Sequence, residues 1–300
     1  MEYLWVILAL VGAAIQTSRN GLMKHLKRRL DDEAIMFSRF AFSVPFVLLF
    51  LGLCVAIGYD LPKINADFVQ YFVLAAICQI AGGYLFLKIL GRRNFVIGVT
   101  YTRTDSMMKV LFAALLFGEM VSAGALFAII LSFFGILLIT IVEQHLEPKN
   151  LIKRIFTPSA IMGVSSGVCF GLTGVLIRQA IIALDGEFFV RSAYTLLFII
   201  MLQALIFFVI LLIKKKEQLA AVVKSGASPY ILGCINAASA LCWFVAFSLT
   251  HAAYVSMVGQ VEILFSIFLT HKVFKEKIVP LEILGMTIVV GSIFLLVYFQ

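Results

Sequence analysis

The sequence predicts an all-α integral membrane protein, with ten transmembrane helices arranged as two inverted five-helix repeats. Three observations carry this prediction. Of 300 residues, 62% are hydrophobic and 13% charged, against roughly 45–50% and about 25% in an ordinary soluble domain. Mean hydropathy is +1.07, and ten spans of about 20 residues would leave about 100 for connections. The third is a weak internal repeat whose polar positions coincide. Together these exclude a water-soluble enzyme, a disordered chain and a secreted disulfide scaffold. No polar block is long enough to fold as a large extramembrane domain.

Spans are expected at 3–22, 33–57, 68–90, 97–117, 121–142, 159–183, 188–212, 229–249, 254–274 and 280–299. Helices follow because a backbone in hydrocarbon must bond within its own segment. The first run has no basic leader segment and is closely followed by a second span, so it reads as a span and not a signal peptide. Lys24, Lys27, Arg28 and Arg29 separate spans 1 and 2, and Pro62 with Lys63 separates 2 and 3. Arg92 and Arg93 follow span 3, and Phe117-Gly118-Glu119 closes span 4. A linker at 147–158, with Pro148, Lys149, Lys153, Arg154 and Pro158, divides a first repeat at 1–146 from a second at 159–300. Asp185 and Glu187 follow span 6, and Lys214, Lys215, Lys216 and Lys224 lead to Pro229 before span 8. Lys272, Lys275 and Lys277 precede Pro280 at the start of span 10. Proline costs little at a helix start. Pro45 alone falls within a span and predicts a kink.

Loops after odd-numbered spans hold sixteen Lys and Arg, and those after even-numbered spans hold Lys63 alone. The positive-inside rule then puts both termini outside and the odd-numbered loops in the cytoplasm, in a cell (inner) membrane. The net charge of +8 therefore reads as loop charge facing lipid, with no nucleic-acid surface. Five cysteines and four histidines are scattered and match neither a metal site nor a redox pair. No metal, cofactor or enzyme activity is expected.

Leu30-Asp31-Asp32-Glu33 matches Leu184-Asp185-Gly186-Glu187 at an offset of 154. Later the offset becomes 157, pairing Gln79 with Asn236, Asp105 with Glu262, Phe117 with Phe274 and Glu119 with Glu276. Five spans per copy is an odd number, so the second copy enters the membrane inverted. Inverted repeats characterise secondary transporters.

Phe117-Gly118-Glu119 followed by Gly135, and Phe274-Lys275-Glu276 followed by Gly285 and Gly291, are similar to motifs of the drug/metabolite transporter superfamily, in its EamA-like branch. The resemblance covers nearly the whole chain. It implies alternating access through a cavity between two four-helix groups, with spans 5 and 10 peripheral. Where such proteins often carry Trp-Gly in the first span, this chain reads Ala14-Ile15-Gln16-Thr17-Ser18-Arg19.

Charges deep in a span are functional candidates by default. Thr102, Asp105, Lys109 and Ala113 share a helix face at 100° per residue, and Gly259, Glu262, Ser266 and Thr270 repeat it 157 positions later. Asp105 and Glu262 are candidates for proton coupling, since burial favours the neutral carboxyl. The alternative is an i,i+4 ion pair of Asp105 with Lys109 and a neutral, hydrogen-bonded Glu262. Arg103, about 200° from Asp105 on a continuous helix, would face a substrate carboxylate or an acid on another span. Candidate substrate contacts are Gln16, Gln79, Tyr101, Arg103, Lys109, Asn236, Trp243 and Gln260. For the aromatics the alternative is plain helix packing.

Arg19 and Arg39 read as snorkelling to the cytoplasmic interface, and Arg178 and Arg191 to the outer one. If Arg19 and Arg103 reach a cavity, an anionic or zwitterionic substrate is implied. Ser159, Gly163, Gly167 and Gly171 form a small-residue packing face on span 6, as do Gly124, Ala128 and Ser132 on span 5. Glu119 and Glu276 are expected to cap the helices that follow them. The expected function is secondary transport of a small polar or amphipathic metabolite, such as an amino acid, in the export direction. A non-transporting receptor or scaffold is the alternative. The partners are that solute and the bilayer.

Overall fold

The computed structural model describes residues 3–90, 101–143, 158–265 and 280–299. Expectations at Arg92, Arg93, Ser266, Thr270, Phe274 and Glu276, and at the linker 147–157, lie outside them. Among the described residues every regular element is a helix. Six are long and apolar enough to cross a membrane, and shorter apolar helices cover Ala123–Ile139, Ala252–Phe265 and Ile283–Phe299. Polarity is reversed relative to a soluble fold. Ile213 is 75% exposed and Phe294 73%, side chains that only lipid would cover without cost, whereas Arg19, Arg39, Lys109 and Asn236 are buried.

α1, Leu4–Leu26, buries Trp5, Ala9, Gly12, Arg19, Met23 and Leu26, a seven-residue rhythm that keeps one face against its neighbours. α2, Asp32–Ala41, starts after Asp31 with Asp32 and Glu33 in its first turn, where carboxylates suit the helix dipole. The chain breaks at Phe42-Ser43, and α3, Val44–Ala56, restarts with Pro45 in its first turn. The kink expected from Pro45 falls at this break, and α2 and α3 together still make one apolar span, Asp32–Ala56. α4 is Ala66–Leu90. Asn65 caps it by accepting the Phe68 N–H at 2.8 Å.

α5, Asp105–Phe117, ends at Gly118 in the left-handed region, φ 66°, which a glycine adopts without strain. α6, Ala123–Glu143, is capped by Ser122, whose Oγ accepts the Ala125 N–H at 3.1 Å. The cap expected from Glu119 is therefore corrected. Ser122 is one turn closer to the helix, and Glu119 faces His251 at 3.1 Å.

α7 is Pro158–Ile182 and α8 Phe188–Lys214. A short helix unforeseen in the sequence, α9 at Lys216–Lys224, follows a break at Lys215. The Lys215 ammonium donates to Asp31 at 2.8 Å and to Glu33 at 3.0 Å. These two bonds hold it well above the usual lysine range. Their stabilisation is complete below the ordinary lysine pKa and is lost only as pH rises through the elevated value. α10, Ser228–Leu249, starts with Pro229 in its first turn. α11, Ala252–Gly259, and α12, Pro280–Phe299, complete the chain.

Two compact units interleave the sequence halves. One is Met1–Ile80 with Leu176–Thr250, and the other Ala81–Val175 with His251–Gln300. The core of the first gathers Phe68, Ala180 and Leu184, with Tyr194 and Phe198 packed against them. In the second, Ile136, Ile139 and Val289 form a core between α6 and α12. There Gly135 and Gly285 bring two backbones so close that a Cβ on either would meet the other's carbonyl at 3.0–3.1 Å.

Candidate functional site

In the second unit, the candidate residues meet at two matched helix breaks. A helical turn at 101–102 gives way to a turn at Arg103-Thr104 before α5 begins at Asp105. α11 ends at Gly259, turns at Gln260-Val261, and resumes over 262–265. These breaks are 157 residues apart, the repeat offset. Asp105 and Glu262 thus each open a helical segment, where the dipole favours a carboxylate.

The break corrects one expectation. Arg103 is not on a continuous helix with Asp105, so the 200° separation does not apply. Its Nη2 donates to Glu262 Oε2 at 3.0 Å. Lys109 pairs with Asp105 one turn away, as the i,i+4 alternative holds. Gln260 donates through Nε2 to Ser106 Oγ at 3.0 Å and accepts from Ser132. Ser106, Lys109, Ser132, Gln260 and Glu262 are all buried, and Tyr101 is half-buried beside them in sequence. Two cations and two acids make these paired charges sum to zero.

The small-residue face of α7 lets this arrangement close. A Cβ on Gly167 would strike Thr104, one on Gly171 would strike Met108, and one on Gly174 the Lys109 stem. The part of the face at Gly167 and Gly171 packs as expected, and Gly174 extends it.

The first unit holds a second polar cluster. Asn236 Oδ1 accepts from Arg39 Nε at 2.8 Å and from Arg19 Nη1 at 3.3 Å. Its Nδ2 donates to Ser43 Oγ at 3.0 Å. Ser43 Oγ in turn donates to the Gly233 carbonyl at 2.9 Å. Both arginines are 8% exposed. Their expected snorkelling is corrected, because Asn236 draws the guanidinium heads inward. The two guanidinium groups share one acceptor oxygen, and their like charges repel.

The other candidates in this unit are dispersed. Gln79 accepts from Gln203 Nε2 at 2.9 Å, not from its repeat partner Asn236. Trp243 lies two turns from Asn236 on α10, and its buried Nε1 has no partner among the described residues. Gln16 is half-buried one turn before Asn20, which accepts from Arg19 Nη2 at 3.2 Å. Arg178 donates to the Phe247 and Thr250 carbonyls at 2.9 and 2.8 Å. It closes the C-terminus of α10 where snorkelling was expected.

Sequence reasoning missed Arg39, Ser43, Ser106 and Ser132 as members of these clusters. Arg39 carried a signal. It stands seven residues into α2, about 10 Å from the helix start, which is deep for an interfacial arginine.

A model of the EamA-like transporter family matches residues 3–141 and again 157–298. The chain belongs to the EamA-like transporter family. The double match falls on the two halves that the offset of 154–157 separates in the sequence. The EamA-like assignment makes this a multi-pass membrane protein of the drug/metabolite transporter type. Among solved structures, one crystal structure superposes with a TM-score of 0.65 at 13% identity, covering 97% of this chain and 96% of that one. That likeness concerns the fold. Among curated proteins none matches the chain.

Proposed function

We propose that this EamA-like protein is a secondary active transporter that exports a small polar or amphipathic metabolite, such as an amino acid, by alternating access. In this reading ten spans form two inverted repeats, at 1–146 and 159–300, joined by a cytoplasmic linker. Asp105 and Glu262 couple movement to protons. Gln16, Gln79, Tyr101, Arg103, Lys109, Asn236, Trp243 and Gln260 contribute substrate contacts.

One observation carries the reading. Helices broken at equivalent positions of two repeats, each beside an acid, are what a transporter needs at a membrane-embedded site. A broken helix presents backbone groups and a dipole end to a solute or ion. A scaffold gains nothing from breaking the same position twice.

The test is release from proteoliposomes loaded with mixed amino acids and small metabolites, with and without a pH gradient. Selective release that responds to the gradient is expected. Selective release without that response would remove the coupling role from the acids, and no release would favour the receptor or scaffold reading. For orientation, an impermeant thiol reagent should label a cysteine introduced at Gln300 in intact cells. Labelling only after permeabilisation would reverse the assignment of the termini.

A further inference from the structure

The charge in the polar clusters is distributed unequally. Around the α5 and α11 breaks each cation has an acid: Lys109 has Asp105, and Arg103 has Glu262. Arg39 has none. Its Nε is committed to the neutral Asn236, its guanidinium lies 5.0 Å from the Phe40 ring centroid, and neither Nη makes a hydrogen bond among the described residues. Yet it is 8% exposed. The acids at the start of the same helix already hold lysines, Asp32 with Lys27 at 2.9 Å and Asp31 and Glu33 with Lys215. A second guanidinium, that of Arg19, shares the same acceptor oxygen.

The site is also held in place from behind. Asn236 is fixed by Ser43, and Ser43 by the backbone carbonyls of Arg39 and Gly233. Gly233 lies so close to Phe42 that a Cβ there would collide with the Phe42 backbone. The break between α2 and α3 is therefore seated on α10, and α3 begins directly after Ser43. Anchoring Nε leaves Nη1 and Nη2 as a fork whose spacing suits two oxygens of one oxyanion. Neither Nη is sealed from solvent.

We propose that Arg39, with Arg19 beside it and Asn236 behind it, binds an oxyanion: the carboxylate or phosphate of a small solute. This narrows the substrate class to anions or zwitterions, and to that extent rests on the transport reading. The binding itself does not.

The experiment uses the full chain in nanodiscs of phosphatidylcholine. Thermal unfolding is followed while succinate or inorganic phosphate is titrated at constant ionic strength, with succinamide as the uncharged control. At least one anion should raise the melting temperature saturably, and succinamide should not. R39Q should weaken the apparent affinity about tenfold or more, the scale of a lost charged hydrogen-bond pair. R39K, which keeps the charge and loses the fork, should fall between them.

A second series adds phosphatidylglycerol to the nanodiscs. An Arg39-dependent rise produced by that lipid, with the response to soluble anions suppressed, would keep the oxyanion site and make its source a headgroup. No rise with any anion beyond succinamide in wild type, or equal rises in wild type and R39Q, overturns the proposal. Binding without transport in the release assay would leave this site standing and remove the transport reading alone.

Discussion

Asp105→Asn is expected to destabilise the protein by about 3–5 kcal/mol, the scale of breaking a buried pair from one side. The reason is asymmetric burial. The Lys109 side chain is 4% exposed and that of Asp105 20%. Removing the acid strands a buried ammonium whose stem is packed against Gly174. Lys109→Met in the same chain should restore most of the loss, since no charge remains to be compensated and the thioether side chain fills a similar volume. Thermal unfolding of the wild type, the two single variants and the double variant in detergent measures this coupling. Additive losses would mean that the pair contributes nothing beyond its separate side chains.

Glu262→Gln should abolish gradient-driven transport while substrate exchange continues. Glutamine keeps the shape and one carbonyl oxygen for Arg103, which in the wild type donates to the carboxylate at 3.0 Å. It cannot exchange a proton. Exchange of solute against solute needs the conformational cycle and not the proton, so it survives. The comparison is made in proteoliposomes loaded on both sides, with and without a pH gradient. An unchanged gradient response in the variant would remove Glu262 from the coupling step and leave the Arg103 pair as structure alone.

Apolar length and loop charge made most of the helical fold legible in the sequence. The break near Pro45 was legible for a local reason, a missing N–H. The breaks at Arg103-Thr104 and Gln260-Val261 were not, because neither contains proline. They are marked instead by bonds from side chains on other elements, such as Ser132 on α6 to Gln260. Helical periodicity carried across the break misdirected Arg103. Arg19 and Arg39 were read as interfacial because a long cationic side chain can reach either way, and the choice belongs to Asn236, about 200 residues away in the chain. The pairing of Asp105 with Lys109 was visible because both partners lie on one helix turn. The pairing of Glu262 with Arg103 was visible only as an open question.

The interleaving of the two units has a consequence for the order of synthesis. Met1–Ile80 shares its compact unit with Leu176–Thr250. At about 5–20 residues per second, Thr250 leaves the ribosome roughly 10–30 s after Ile80. During that interval α1 and α2 are in the bilayer and α10, which carries Asn236, has not been made. The two arginines therefore enter the membrane as newborn charges with no amide to turn toward, free to lean on lipid headgroups, and are drawn inward only when α10 arrives.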